Sequence, residues 1–151
     1  MLQDSSIANT KHSRFVAQVV ELDTVWGLKT KEGWLVTASN DHQDVKIFLF
    51  WSEMSSAAEC AKDDWVYYVP ESMPLAKFLE DWCVGMHYDN VFVGTNWDSA
   101  MPGKEIEPLK LALEILEKVK EWNKQMEFTK YGSADDFESQ IREAISKIEE
   151  P

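Results

Sequence analysis

The chain has 151 residues, 27 of them acidic and 15 basic, and carries a formal net charge of −12. A chain of this length fits one domain that can bury a core without disulfides or a structural metal. A negative field of this size repels the phosphates of DNA and RNA. We therefore expect a single acidic domain that does not bind nucleic acid.

The chain is rich in aromatic residues, with seven Trp, seven Phe and four Tyr, and such residues either fill a core or anchor an interface. Cys60 and Cys83 lie in helical apolar patterns without Cys-x-x-Cys spacing, so buried thiols in a reducing cytosol are favoured over a disulfide. No segment reaches the ~18 to 20 apolar residues that span a membrane, and the first residues lack the order of a secretory signal. We expect a cytoplasmic protein that does not enter a membrane.

Residues 5–22 are predicted to form a first helix, because apolar residues recur on one side of it. This apolar stripe consists of Phe15, Val16, Val19 and Val20. Two β-favouring runs, 25–30 and 33–38, flank a turn in which Gly33 can adopt a positive φ, and this predicts a hairpin. The polar residues 39–44 then return the chain into the next strand, so a three-stranded meander is expected.

The strand over residues 45–51 is predicted to be central, because almost all its residues are apolar and both of its faces must then be covered. It turns directly into a short helix that Ser52 can cap, with Glu53 in the first turn. The apolar side of that helix contains Met54, Ala57, Ala58 and Ala61.

Residues 65–69 form a short aromatic run, which predicts a strand or an extended edge that the following proline stops. The next helix is predicted to be capped by Ser72, with Pro74 in its first turn. Its apolar stripe consists of Leu75, Phe78, Leu79, Trp82, Cys83 and Met86. Cys83 and His87 share a face of this helix, but two ligands are too few for a structural zinc site, and no metal site is predicted.

A further β-favouring run, 91–94, precedes a polar connection from Thr95 to Glu107. Asn96, Trp97 and Asp98 lie at the carboxyl end of this strand, where ligand-binding loops are often found. These three residues are the candidate ligand-binding site. The alternative is an ordinary connection that a buried Trp97 anchors.

Two more helices are predicted toward the C-terminus, one over residues 108–126 that opens on Pro108 and one that begins after a capping box at 133–136. Together these patterns predict an α+β fold with a mostly antiparallel or mixed sheet of about five strands, a common sheet size, and packed helices. Residues 1–126 are expected to form a single domain, and residues 127–151 a helical extension packed on it.

The motifs of common enzymes are absent from the sequence, which has no nucleophile elbow, P-loop, dinucleotide fingerprint or His-Glu-x-x-His pair. We therefore predict no catalytic residue and no cofactor, and we favour a binding protein over an enzyme. The alternative is a small-ligand-binding protein or an enzyme that uses the connection from Thr95 to Glu107.

The acidic excess is concentrated between Glu32 and Gly103, where twelve acidic residues outnumber three lysines. Such a surface suits a basic protein partner, for example a nucleic-acid-handling protein or a toxin that an immunity protein restrains. The expected aromatic anchor is Trp65, Tyr67 or Tyr68. The expected contact carboxylates are Asp41, Asp44, Glu53, Glu59, Asp63 and Asp64. The alternative is that these carboxylates only keep the surface hydrated.

The sequence contains an ordered set of tryptophans and their neighbours. The set consists of VWGLK at 25–29, Gly33-Trp34, Trp51 with AECA at 58–61, Trp65, Pro74-Leu75, Phe78-Leu79 and Trp82. Over residues 15–118 the chain resembles the family catalogued as domain of unknown function number 2750. The resemblance implies a small cytosolic bacterial protein without an assigned reaction, so it assigns no functional residue. The element order is more distantly similar to the serine-sensitivity-enhancer type of α+β domain, a likeness of fold alone.

Overall fold

The structure is a computed structural model that describes residues 2–100 and 102–149. Met1, Glu150 and Pro151, at the ends of the predicted domain and extension, lie outside the described residues, as does Met101 in the predicted connection. The described chain has the predicted α+β fold, with a C-terminal helix. Its strands form a three-stranded and a four-stranded sheet rather than one sheet of about five.

The first sheet has the strand order β2-β1-β5, and its pairings are antiparallel. Its strands are β1 (Thr24–Thr30), β2 (Gly33–Trp34) and β5 (Val69–Pro74). The predicted hairpin is confirmed, and Gly33 adopts a φ of +137° where the chain turns back. The predicted meander is split between the two sheets, since β2 pairs with β1 in the first sheet whereas the next strand along the chain pairs in the second.

The second sheet has the order β3-β4-β6-β7, in which β4 and β6 are parallel and the other pairs antiparallel. Its strands are β3 (Val36–Ala38), β4 (Lys46–Phe50), β6 (Phe92–Thr95) and β7 (Lys104–Ile106). β4 is central and covered on both faces, as predicted, because Ile47 and Leu49 belong to one apolar cluster and Phe50 to the other. Trp51 exchanges backbone hydrogen bonds of 2.7 and 2.8 Å with Trp26, which joins the two sheets.

The helices pack against these sheets. They are α1 (Leu2–Leu22), α2 (Met54–Cys60), α3 (Leu75–Lys77), α4 (Val84–Tyr88), α5 (Pro108–Glu121) and α6 (Ala134–Glu149). A π-helical segment, Phe78–Cys83, joins α3 to α4. In the larger core, the rings of Phe78 and Phe50 pack edge-on with their centroids 4.9 Å apart. Helix α6 contributes the buried Phe137 to the same core. No helix in the described part of the chain is long and apolar enough to cross a membrane.

The prediction of a strand over residues 65–69 is wrong, because Asp63–Trp65 forms a 3₁₀ turn and the strand that follows is β5. The prediction that Ser72 caps a helix is also wrong, because Ser72 lies within β5 and pairs with Trp26. β5 lies at the edge of its sheet, where a proline is tolerated. Pairing with β1 therefore overrode the local helix-start signal, and the helix begins at Leu75.

The start of α2 also differs from the prediction. Its N-cap residue is Glu53, and no side chain caps it. The Ser52 hydroxyl donates to the Gln18 side chain of α1 instead. Of the predicted apolar side, Ala57 is buried whereas Met54 is exposed. Ser52 therefore ties α1 to the end of β4 rather than starting α2.

The helix that opens on Pro108 is confirmed, although it ends at Glu121 and not at residue 126. Asn123 adopts a φ of 53° just beyond this end. A residue in the left-handed region commonly terminates a helix in this way.

Candidate functional site

The carboxylates predicted to contact a partner lie on three neighbouring stretches of the surface. Asp41 and Asp44 are in the loop between β3 and β4, Glu53 and Glu59 are at the two ends of α2, and Asp63 and Asp64 are in the 3₁₀ turn. Of these six, Glu53 is the one that forms an ion pair within the described residues, with Arg14 at 3.0 Å. The other five are exposed to solvent.

Tyr67 is the exposed member of the three predicted aromatic anchors, with 87% of its surface accessible. Trp65 and Tyr68 are half-buried against the smaller apolar cluster. Val66 and Val69, on either side of the two tyrosines, are 56% and 58% exposed. We call the surface formed by Asp63, Asp64, Val66, Tyr67 and Val69 the Tyr67 patch.

Three of the predicted site residues have a conformational reason for their identity. Asp44, Asp63 and Asn96 adopt φ values of 64°, 53° and 51°. Asp and Asn tolerate this left-handed region better than other residues with a side chain. Their presence in turns is therefore explained by the backbone, and a functional role for them needs separate support.

The predicted ligand-binding triplet lies where the parallel strands β4 and β6 end side by side. The Asn96 side chain accepts a hydrogen bond from the backbone N–H of Ser52 at 3.0 Å, and its amide donates to the Lys11 carbonyl at 3.3 Å. Lys11 also forms an ion pair with Asp98. These contacts attach the start of the loop to α1 and to the end of β4.

Trp97 is 7% exposed, and three hydrogen bonds fix it. Its indole N–H donates to the Lys104 carbonyl at 3.1 Å, and its own carbonyl accepts from the Trp51 indole at 2.7 Å and from the Cys60 thiol at 3.4 Å. Burial is also the main reason why the pKa of the Cys60 thiol is raised. The connection is shorter than predicted, since β7 occupies its second half and Glu107 caps α5.

A cleft of about 360 Å³ brings together residues from both predicted sites. Its lining includes Asp63, Asp64 and Trp65 from the 3₁₀ turn and Trp97 and Asp98 from the loop after β6. A wider groove of about 820 Å³ adjoins it, lined by Tyr67 and Tyr68, and Asp64 lines both. The candidate site is therefore this cleft together with the Tyr67 patch.

The structure also shows a buried polar chain that the sequence analysis missed. His12 of α1 is 4% exposed, and its Nδ1 lies 2.8 Å from the Thr95 hydroxyl. Its Nε2 lies 2.6 Å from a carboxylate oxygen of Glu114. A signal was present in the sequence, because His12 extends the apolar stripe of Phe15, Val16 and Val19 by one helical turn.

This hydroxyl, imidazole and carboxylate stand in the order of a nucleophile, its base and an orienting group. Thr95 is fully buried in β6, however, so a substrate carbonyl cannot approach its hydroxyl. The chain of hydrogen bonds therefore links α1 to β6 and α5, and it holds the strand end that carries Asn96.

Cys83 and His87, which share a helix face, have different surroundings in this structure. Burial raises the pKa of the Cys83 thiol well above its usual range, so the reactive thiolate is suppressed. His87 instead makes a 2.9 Å contact through Nδ1 with Glu107. Across residues 2–100 and 102–149, no group of three or more His, Cys, Asp or Glu side chains is arranged to hold a metal ion.

Glu80, in the π-helical segment, is a second buried polar residue that the sequence did not identify. Its carboxylate accepts a 2.6 Å hydrogen bond from the backbone N–H of Lys130. This bond fastens the segment between α5 and α6 to the domain. Because its partner is 50 residues away in the chain, local spacing gives no sign of it.

The family model for proteins of unknown function (DUF2750) matches residues 12–115, which confirms the resemblance drawn from the ordered tryptophans. The match includes β4 and β6, at whose ends the candidate loop begins. It also includes all residues that we place in the cleft. No curated protein and no solved structure matches the chain.

Proposed function

The chain belongs to the DUF2750 family of proteins of unknown function, and we propose that it is a non-enzymatic binding module for a basic protein partner. The observation that carries the proposal is the Tyr67 patch, in which an almost fully exposed tyrosine stands beside carboxylates without ion pairs in the described chain. Tyrosine is one of the residues that most often dominate binding energy at interfaces.

The charge of the chain supports a protein partner rather than a nucleic acid. A net charge of −12 attracts basic surfaces and speeds their association, and it repels phosphates. A toxin restrained by an immunity protein and a nucleic-acid-handling protein are both partners of this kind. The proposal includes a bacterial cytoplasmic location, and the two buried free thiols support the reducing compartment.

The proposal is tested by capturing partners from the native cell at about 0.1 M and about 1 M salt, where the screening length falls from about 10 Å to about 3 Å. A captured basic protein is then purified and titrated against variants. Tyr67→Ala is expected to weaken binding at least about tenfold, as at other interface hot spots. Asp64→Lys is expected to weaken it and to reduce its salt dependence.

The chain offers a matched control at the end of α4. Tyr88 is also exposed, at 76%, and the exposed Asp89 follows it. Tyr88→Ala and Asp89→Lys make the same chemical changes away from the Tyr67 patch and should leave binding within about twofold. A partner whose binding ignores salt, Tyr67→Ala and Asp64→Lys would rule out the proposal.

A second candidate function is binding of a small ligand, or an enzyme reaction, at the loop between β6 and β7. The cleft of about 360 Å³ favours it, because ligand pockets commonly have volumes of about 300 to 1,000 Å³. A thermal-shift screen against metabolites and metals tests it, since a ligand at 100 times its Kd stabilises a protein by about 2.7 kcal/mol. A shift that Trp65→Leu removes and Tyr88→Ala preserves would support this candidate.

A further inference from the structure

We propose that the cleft beside the Tyr67 patch is a receptor for one arginine side chain of the basic partner. This inference rests on the proposed function and adds the chemical group that the partner inserts. The lining of the cleft includes two tryptophans and several carboxylates, and a guanidinium suits both, because it stacks on aromatic faces and forms paired hydrogen bonds with carboxylates.

The aromatic part of the cleft is held in place before any partner arrives. The hydrogen bonds of Trp97 fix one wall to β7 and to Trp51. The half-buried side chain of Trp65 packs against the smaller apolar cluster, and its backbone is fixed by hydrogen bonds from its own N–H to the Lys62 carbonyl at 2.9 Å and from the Tyr68 N–H to its carbonyl at 3.0 Å. A pre-formed site loses less side-chain freedom when it binds, which favours specific recognition.

The charge of the lining favours a cation. Asp98 is neutralised by its ion pair with Lys11, whereas Asp63 and Asp64 form no ion pair within the described residues. Lys62 contributes one positive charge to the same lining. The net charge of the cleft lining is therefore negative, and it disfavours ligands that carry a carboxylate or a phosphate.

The position of the cleft indicates that the cation belongs to a protein rather than to a free metabolite. Asp64 lines the cleft and also the adjoining groove that contains Tyr67. A partner that covers Tyr67 can therefore place a basic side chain in the cleft within the same interface.

The test uses NMR on the full chain with capped amino acids as probes. N-acetyl-arginine amide is expected to shift the indole N–H signals of Trp65 and Trp97, and to bind at least about tenfold more tightly than N-acetyl-citrulline amide, its neutral isostere. Free arginine is expected to bind more weakly than the capped amide, because its α-carboxylate is repelled. Equal binding of arginine and citrulline probes, or unmoved Trp65 and Trp97 signals, would overturn the inference.

Two variants and one control assign the effect to the cleft. Trp65→Leu and Asp64→Asn should each weaken the arginine probe about tenfold, whereas Asp89→Asn should leave it unchanged. The same spectra report whether each variant is folded, so loss of binding in a folded Asp64→Asn protein remains decisive if Trp65→Leu unfolds.

The inference and the proposed function fail separately. A partner that binds through Tyr67 while the arginine probe does not bind would leave the proposed function standing and overturn the arginine site. Tighter binding of free arginine than of the capped amide would assign the cleft to a small molecule and would also overturn it. The inference is supported if replacing the partner's arginine with glutamine weakens partner binding by about as much as Asp64→Asn does.

Discussion

Replacing His12 with alanine should destabilise the protein by about 2 to 4 kcal/mol. The Thr95 hydroxyl is fully buried and loses its partner, which costs about 1 to 3 kcal/mol. The Glu114 side chain is 40% exposed, so water can replace its contact with His12, and that contact contributes at most about 1 kcal/mol. Loss of the buried imidazole's packing adds to both effects.

The assay is urea unfolding, monitored by tryptophan fluorescence and circular dichroism. The change in the free energy of unfolding is taken from the shift of the urea midpoint, provided that the m-value is unchanged. His42→Ala is the control, because His42 lies in the exposed loop between β3 and β4 and loses an edge-on ring contact with Phe92, so its replacement should cost about 1 kcal/mol or less. His12→Leu combined with Thr95→Val should cost less than the sum of the single changes, since no buried hydroxyl is then left unpaired. A His12→Ala cost no larger than that of His42→Ala, or strict additivity in the double variant, would refute the reasoning.

Phe50→Ala should cost about 3 to 5 kcal/mol in the same assay, and Phe48→Ala clearly less, because Phe50 is fully buried whereas Phe48 on the same strand is half-buried; equal costs would contradict this. The pKa of Glu138 is lowered mainly by its hydrogen bond from Arg142, so its stabilising effect is present above about pH 4.3, its unfolded pKa, and is lost as pH falls through the lower folded pKa. Glu138→Gln should therefore lower stability at pH 7 and have a smaller effect near pH 3, measured by urea unfolding at both pH values. Because the pKa of the Cys83 thiol is raised by burial, its labelling by a thiol reagent at pH 8 should follow the rate of unfolding; rapid labelling of the folded protein would contradict this.

The candidate site was predictable in its parts but not as an arrangement. The sequence singled out Asp63, Asp64 and Trp65 from charge and aromatic content, and Trp97 and Asp98 from their place after a strand. It assigned these residues to two alternative sites, whereas the fold places them around one cleft. His12 and Glu80 were not identified: the place of His12 on the apolar stripe indicates that it is buried, but the hydrogen-bond partners of both residues lie far away in the chain.

The sequence by itself determined the α+β class, the buried central strand β4 and the helices that carry the apolar stripes. Burial on one face repeats with the period of the element, so these features are visible in a short window of residues. The order of the tryptophans likewise indicated the DUF2750 family.

Only the tertiary structure decided how the strands divide between two sheets, why Ser72 lies in β5 and that Trp65 and Trp97 line one cleft. Strand pairing and cleft formation depend on contacts between segments that are distant in the chain, and such contacts can override local propensity. The local sequence around Ser72 is typical of a helix cap, but in the fold Ser72 lies in a strand opposite Trp26. The hydrogen bonds and packing of the sheet outweigh a single cap.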